Sequence, residues 1–194
     1  MNIIHRIPRL VEPILDNRAE LVSGGLTLVG TWEIEQFRKG KMVGEKEIGT
    51  NCFMTEGMAR LCNIIFGATT KAGSTGLCFM GLIGKSIVPV PGDTAAKLGA
   101  SGNAHGELLV DYTPATNRPT YTIAATSTAG CTNAAAKAEF TIITAPVTVY
   151  GAFLSMVAAK SDVSGPLVCA KAFGTARTTE IADVLSIAYA ITMS

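Results

Sequence analysis

A series of short β-type segments, separated by clusters of Gly, Pro, Asn and Ser, constrains the fold of this chain most strongly. Val, Ile, Thr and Tyr dominate their periodic positions, and these side chains fit a pleated, half-buried strand. Successive strand-like runs of this kind are typical of antiparallel sandwiches and barrels. We therefore predict an all-β fold, mainly an antiparallel sandwich or jelly-roll-like. The runs are ELLVDYT, RPTYTIAAT, KAEFTIIT, VTVYGAFLSMVA, PLVCAKAF and ADVLSIAYAITM.

An earlier pair of segments predicts a β-hairpin. The runs LTLVGTWEIEQF and MVGEKEIGTNCF both alternate apolar and polar residues, and the RKGK between them contains Gly40. Alternation over such a length indicates strands with one buried face. We expect Trp32, Ile34, Met42 and Ile48 near that inner face.

One segment has helical rather than strand periodicity. In TEGMARLCNIIFGA, Thr55 is placed as an N-cap, and Met58, Leu61 and Cys62 recur at helical spacing. The pattern predicts one short helix near residues 55–66. Its apolar stripe is expected to pack on the core.

The motif GLIGKS looks like the end of a phosphate-binding P-loop but lacks its other requirements. A P-loop needs a glycine five positions before its Gly-Lys pair, and that position is Phe79. Pro89 and Pro91 would interrupt the helix that must follow. Residues 79–83 are therefore predicted to be a buried strand that runs into a loop.

The N-terminal part differs from the rest. Residues 1–24 mix spaced apolar residues with arginines and two prolines. We predict an extended N-terminal arm over 1–24, typical of segments that lie on a neighbouring subunit, and a single β-sandwich domain over 25–194. The partner-binding residues expected in the arm are Ile3, Ile4, Arg6, Ile7, Arg9, Leu10, Ile14, Leu15 and Arg18.

The loop from residue 85 to residue 106 is longer than a compact domain usually needs. Loops of this length tend to be functional or to be ordered by a partner. We therefore take Lys85, Ser86, His105 and Glu107 as candidate contact residues.

Composition limits the classes of partner. Sixteen Lys and Arg against 15 Asp and Glu give a net charge of +1, which removes the electrostatic argument for nucleic acid or an anionic membrane surface. No stretch approaches the roughly 20 apolar residues of a membrane span. Five widely spaced cysteines, an odd number without a Cys-x-x-Cys pair, indicate reduced, mostly buried thiols in a protein made in a cytosol. Other proteins are the expected partners.

No set of residues converges on a reaction. His105, Glu107 and Asp111 could together supply ligands or acid–base groups, but a pair two residues apart plus one carboxylate is a weak set. The chain also lacks a Gly-x-Ser-x-Gly nucleophile elbow. We expect no enzyme activity, no metal and no cofactor.

The order of several motifs resembles a group of tailed-phage virion structural proteins that includes capsid decoration, or cement, proteins. In that group a β-hairpin leads through an Asn-x-x-x-x-Glu-Gly step into a short helix, and an apolar strand and a series of spaced motifs follow. The resemblance covers about residues 31–194. The matching residues here are Asn51, Glu56-Gly57, Asp93-Thr94, Tyr112, Arg118-Pro119 and the run YGAFLSMV from Tyr150. The chain departs from the pattern before Glu107, where it has AHGE.

The resemblance implies a protein on the outer surface of the capsid, assembled in the host cytoplasm, that stabilises contacts between major capsid proteins. Its expected partners are the major capsid protein and further copies of itself, as a homodimer or homotrimer, with no nucleic acid and no membrane. One alternative is a tail, neck or baseplate-associated protein whose long loop contacts a glycan or an adjacent ring. Another is an enzyme or carbohydrate-binding module centred on His105, Glu107 and Asp111.

Overall fold

The computed structural model of the chain describes residues 28–65, 78–99, 104–123, 130–144 and 146–193. The predicted arm, residues 1–24, and its nine proposed partner-binding residues lie outside the described residues. The described part contains eleven strands and one α-helix. The strands are β1 Leu28–Arg38, β2 Lys41–Met42, β3 Glu47–Thr50, β4 Cys52–Phe53, β5 Phe79–Ile83, β6 Tyr112–Thr113, β7 Gly130–Thr132, β8 Ala138–Ile142, β9 Thr148–Ser155, β10 Leu167–Thr178 and β11 Val184–Met193, and the helix is α1 Thr55–Ile65.

The strands form two antiparallel sheets. The larger has the order β2-β1-β11-β8-β6, with β3 also paired to β1 and β7 to β11. The smaller has the order β4-β10-β9-β5. The long pairing of β1 with β11 joins the first and last described strands at the centre of the larger sheet. This arrangement confirms the predicted all-β class.

The core lies between the two sheets. Trp32 and Tyr189, cross-strand partners on the larger sheet, stack with ring centroids 4.6 Å apart. They belong to the same buried cluster as Leu82, Leu154 and Cys169 of the smaller sheet. Because inward-facing residues alternate along β1, every second position contributes to this layer.

The predicted hairpin is present, and its register corrects part of the prediction. Its turn places Gly40 and the preceding lysine at positive φ, as a two-residue hairpin turn requires. Met42 pairs with Phe37 and Ile48 pairs with Glu33, both on the outer face of β1. Cross-strand partners share a face, so Met42 and Ile48 are exposed. Their predicted inner position is wrong, whereas that of Trp32 and Ile34 on β1 is confirmed.

Helix α1 has the predicted start but contacts the core differently. Gly57 is buried, and a Cβ there would lie 2.5 Å from the Cα of Val168 on β10. Because Gly57 has no side chain, the helix can lie directly on the backbone of β10. Cys62 is exposed, so its predicted core position is wrong. The hydroxyl of Thr55 donates to the Pro91 carbonyl rather than capping its own helix.

The strand predictions hold with two exceptions. In the predicted run ELLVDYT only Tyr112–Thr113 forms a strand, and Glu107 makes an isolated bridge with Ile83. Residues 79–83 form a buried strand, and a Cβ at Gly81 would lie 2.2 Å from the Phe153 ring, which explains the glycine there. The segment RPTYTIAAT contains only an isolated bridge between Thr120 and Phe79 within its described residues, 118–123. It still runs beside β5, because Met80 donates its N–H to the carbonyl of Pro119.

Candidate functional site

The long loop after β5 is fixed at both ends by backbone hydrogen bonds. Gly84 donates to the Gly106 carbonyl at 2.7 Å, and Lys85 donates to the His105 carbonyl at 3.1 Å. Farther along, the Glu107 N–H donates to the Leu98 carbonyl at 2.9 Å. We call residues 84–99 and 104–107 the anchored loop. Its described residues are held by contacts within the chain.

A buried polar pair holds the middle of the anchored loop. His105 Nε2 lies 3.0 Å from Asp93 Oδ2, and the side chains are 0% and 8% exposed. The same Asp93 oxygen accepts the N–H of Val90 at 2.9 Å, and the N–H of Asp93 donates to the carbonyl of Val90. One carboxylate therefore connects the turn at residues 90–93 to the end of the loop.

The N-terminus of α1 provides a second attachment for this loop. Thr55 donates both its N–H and its hydroxyl to the carbonyl of Pro91, at 2.9 and 3.0 Å. Glu56 accepts the backbone N–H of Ala95, at 2.7 Å, and that of Leu167 with the same carboxylate oxygen. This single side chain thereby joins helix, loop and strand β10.

Behind the loop lies a buried ion pair. Arg118 donates from Nε to Glu107 Oε1 at 2.7 Å and from Nη2 to Oε2 at 2.8 Å, and the side chains are 0% and 1% exposed. Such a two-pronged contact satisfies both carboxylate oxygens and fixes their relative orientation. Glu107 also accepts the N–H of Ser161 at 3.0 Å.

The remaining donors of Arg118 reach the chain that follows β9, and its guanidinium contacts β9 itself. Nη1 donates to the Val157 carbonyl at 2.7 Å, and Nη2 to the Asp162 carbonyl at 3.1 Å. The guanidinium carbon lies 5.2 Å from the centroid of the Phe153 ring on β9. We call Arg118, Glu107 and these contacts the Arg118 network. It ties the anchored loop to β9 and to the turn that follows β9.

Lys160 extends the buried polar region. Its Nζ donates to the carbonyls of Leu109 and Tyr112, at 2.9 and 3.0 Å, and lies 3.4 Å from the centroid of the Tyr112 ring. Burial lowers the pKa of Lys160 to about 8, despite the opposing effect of the Glu107 and Asp111 carboxylates. Burial also raises the pKa of the Tyr112 hydroxyl. A buried ammonium held by two carbonyls fixes the chain around residues 109–112.

The three candidate ligand or acid–base residues, His105, Glu107 and Asp111, each have a different partner. His105 contacts Asp93, Glu107 contacts Arg118, and the Asp111 carboxylate accepts from the Thr144 hydroxyl. The described ranges contain no group of three His, Cys, Asp or Glu side chains that could hold a metal ion. All five cysteines lie within those ranges and are free thiols.

The four predicted loop-contact residues fall into two groups. Lys85 is half-buried and Ser86 is exposed at the start of the anchored loop. The side chains of His105 and Glu107 are buried and contribute to anchoring rather than to the surface. Sequence reasoning missed Arg118 and Asp93 as their partners, because neither pairing follows from a spacing along the chain. The only signal in the sequence for this role of Arg118 was its position next to Pro119 in a chain with few charged residues.

Comparison with protein-family models, with curated proteins and with solved structures gives no match. Among the helices in the described part, none is long and apolar enough to cross a membrane. The geometry of the chain itself therefore carries the functional argument.

Proposed function

We propose that this chain is a structural virion protein that binds the outside of a tailed-phage head and stabilises contacts between major capsid proteins. It is a decoration, or cement, protein that assembles in the host cytoplasm and acts without catalysis. Its partners are the major capsid protein and further copies of itself, as a dimer or trimer. Many attached copies would multiply a modest affinity per site.

The contacts of the motif residues that carry the resemblance support this proposal. Glu56, Asp93 and Arg118 have separate positions in the sequence, yet each fixes the same region around the anchored loop. Gly57 lets α1 approach β10, which completes that region. A shell component needs a surface of fixed shape that binds without ordering itself at each contact.

Enzyme chemistry is a poorer explanation of the same residues. The Glu107 carboxylate and the Arg118 guanidinium neutralise each other in the interior, with their oxygen and nitrogen atoms already in hydrogen bonds. His105 has no exposed surface. A general base must come within hydrogen-bond distance of a substrate proton, and these groups are directed into the fold.

Binding to heads tests the proposal. Purified protein is added to heads of the encoding phage that were assembled without this chain, and bound protein is measured after sedimentation. We expect saturable binding and raised resistance of the heads to heat. Saturable binding to isolated tails but not to heads would replace the proposal with a tail or baseplate role.

The arm is tested in the same assay. We propose that residues 1–20 strengthen attachment through their apolar side chains, while Arg6, Arg9 and Arg18 pair with acidic groups on the shell. Deleting residues 1–20 is expected to weaken binding to the heads. Unchanged attachment of the truncated protein would contradict the role of the arm while leaving the proposed function intact.

A further inference from the structure

Exposed apolar side chains collect at one end of the larger sheet. The strand register forms a row across this end, from Met42 on β2 through Phe37 and Val184 to Thr141 on β8. Five side chains in or just beyond this row are between 36% and 69% exposed, and we call them the apolar end: Met42, Leu109, Val110, Ile143 and Ile181. Single exposed apolar residues are common, but five at one end of one sheet are typical of a contact surface.

The segments that carry the apolar end are joined to one another. The N–H of Ala182 donates to the last carbonyl of β8, and the N–H of Ile143 donates to the carbonyl of the residue before β6, both at 2.9 Å. Arg38, at the end of β1, binds two carboxylates of the turn at residues 180–183. The surface therefore has a fixed shape before a partner binds, which lowers the entropic cost of association.

The β2 side of the apolar end is basic. Lys39 and Lys41 are exposed at the tip of the first hairpin, and within the described residues neither forms an ion pair. The sequence suggests that nearby glutamates neutralise them, but Glu33, Glu35 and Glu47 pair with other lysines. Two uncompensated ammonium groups therefore lie beside the apolar side chains.

The β6 side of the apolar end is acidic. Asp111 lies there, and Asp162 is close to it because the Lys160 ammonium joins its turn to the carbonyls of residues 109 and 112. A hydrogen bond from the Ser164 N–H lowers the pKa of Asp162. Lys160 is buried, whereas both aspartates keep part of their surface in solvent.

The arrangement of charge is self-complementary. The basic and acidic sides lie on β2 and β6, at opposite edges of the sheet order β2-β1-β11-β8-β6, and four strand spacings separate them by about 19 Å. A two-fold axis between Ile181 and Ile143 would place the basic side of one copy against the acidic side of the other. The same rotation brings the apolar side chains of the two copies together, as an isologous contact requires.

We propose that the apolar end is the surface through which two copies of this chain form a two-fold symmetric dimer. The inference rests on the self-association included in the proposed function and identifies the surface responsible for it. The opposite end of the sheet, where Leu28 pairs with Met193, is about 30 Å away. Dimerisation through the apolar end therefore leaves that end uncovered for contacts with the shell.

Sedimentation equilibrium of the full chain and two variants tests the surface. The test variant is I143S/I181S. The matched control is V88S/V90S, because Val88 and Val90 are also exposed but lie on the anchored loop. We expect I143S/I181S to dimerise at least about tenfold more weakly than the wild type, and V88S/V90S to dimerise as the wild type does. Thermal unfolding of both variants should match the wild type, because the substituted side chains are exposed.

A charge exchange tests the two-fold arrangement. In K39E/K41E both contacts between copies become acidic against acidic, and in D111K/D162K both become basic against basic. Each variant alone should therefore dimerise at least about tenfold more weakly than the wild type. An equimolar mixture of the two should form a heterodimer, because both of its contacts then join opposite charges. If a charge variant does not fold, I143S/I181S decides the matter.

The results that would overturn the inference are distinct from those that bear on the proposed function. A wild type that is monomeric at about 100 µM, or that forms a trimer, would overturn it. So would equal weakening by I143S/I181S and V88S/V90S, or two folded charge variants that form no heterodimer. If I143S/I181S dimerised normally but lost binding to heads, the apolar end would contact the shell instead. A dimeric wild type that fails to bind heads would reject the proposed function and leave this inference standing.

Discussion

Arg118 and Glu107 form a two-pronged ion pair in the interior, with nitrogen–oxygen distances of 2.7 and 2.8 Å. The pair lies between the anchored loop and strand β9, and Arg118 continues to the carbonyls of Val157 and Asp162. Removing one partner of a buried pair leaves an uncompensated charge in the interior, which is strongly destabilising. Its disruption should therefore reveal how the loop is held.

Replacing one partner of this pair should destabilise the chain strongly. R118M leaves the Glu107 carboxylate buried without its counter-charge, and we expect a loss of about 3–5 kcal/mol in the free energy of unfolding. The double variant R118M/E107L removes both charges and should be more stable than R118M. Urea denaturation at pH 7 measures both values. A double variant less stable than R118M would contradict the assignment of the cost to an uncompensated charge.

Gly57 should resist substitution although it lies in a helix. Alanine normally stabilises a helix interior by about 1 kcal/mol relative to glycine. Here the new Cβ would lie 2.5 Å from the backbone of Val168, so G57A must shift α1 away from β10. We expect a net loss of about 1–3 kcal/mol by urea denaturation.

The exposed helix residue Ala59 provides the control for Gly57. A59G should lose about 1 kcal/mol from helix propensity alone. If G57A stabilised the chain by the amount that A59G destabilises it, close packing at Gly57 would be refuted.

Lys160 should make stability depend on pH in the alkaline range. Its folded-state pKa of about 8 is below its ordinary value of 10.5 because of burial. Between these values the unfolded chain binds the extra proton, so stability attributable to this group rises with pH. We expect the stability of the wild type relative to K160M to be flat from pH 6 to about 7 and to rise from about pH 8 to 10.5. Parallel pH profiles for the two proteins would be inconsistent with a buried ammonium.

Asp183 should show a dependence of the same sign in the acid range, where stability rises with pH. Hydrogen bonds from the Arg38 guanidinium lower the pKa of Asp183 from 3.8 to about 2. Burial opposes this shift, and hydrogen bonds from the Glu180 N–H and the Gln36 side chain add to it. Its contribution is therefore present above about pH 4 and lost as the pH falls towards 2. D183N should lose about 1–3 kcal/mol at pH 7, and the difference from the wild type should shrink between pH 4 and 2.

The control for Asp183 is its neighbour Glu180, which pairs with the same arginine but is 59% exposed. E180Q should change the free energy of unfolding by less than about 1 kcal/mol. Equal effects of D183N and E180Q would show that burial of the Asp183 carboxylate does not matter.

Local periodicity in the sequence was enough to predict the fold class, helix α1 and the buried strand β5. Pairing register was harder to predict. Met42 and Ile48 face solvent because their partners on β1 are the outward-facing Phe37 and Glu33. A shift of one residue would reverse their faces, and the register depends on which two residues of RKGK form the turn.

The candidate site was predictable only in part. The length of the loop predicted a segment with a function of its own or one ordered by a partner. The pairing of Arg118 with Glu107, and of His105 with Asp93, depends on contacts across 11 and 12 residues and on which segments pack together. Sequence spacing could not distinguish these anchoring roles from a surface role.

The copy number of this chain in purified virions tests the central claim most directly. A decoration protein that covers the head should be present on the order of hundreds of copies per particle, because it repeats with the capsid symmetry. Quantitative gel densitometry against the major capsid protein measures this ratio. We predict hundreds of copies of this chain per particle, in a constant ratio to the major capsid protein. A handful of copies per particle, or none, would contradict the account.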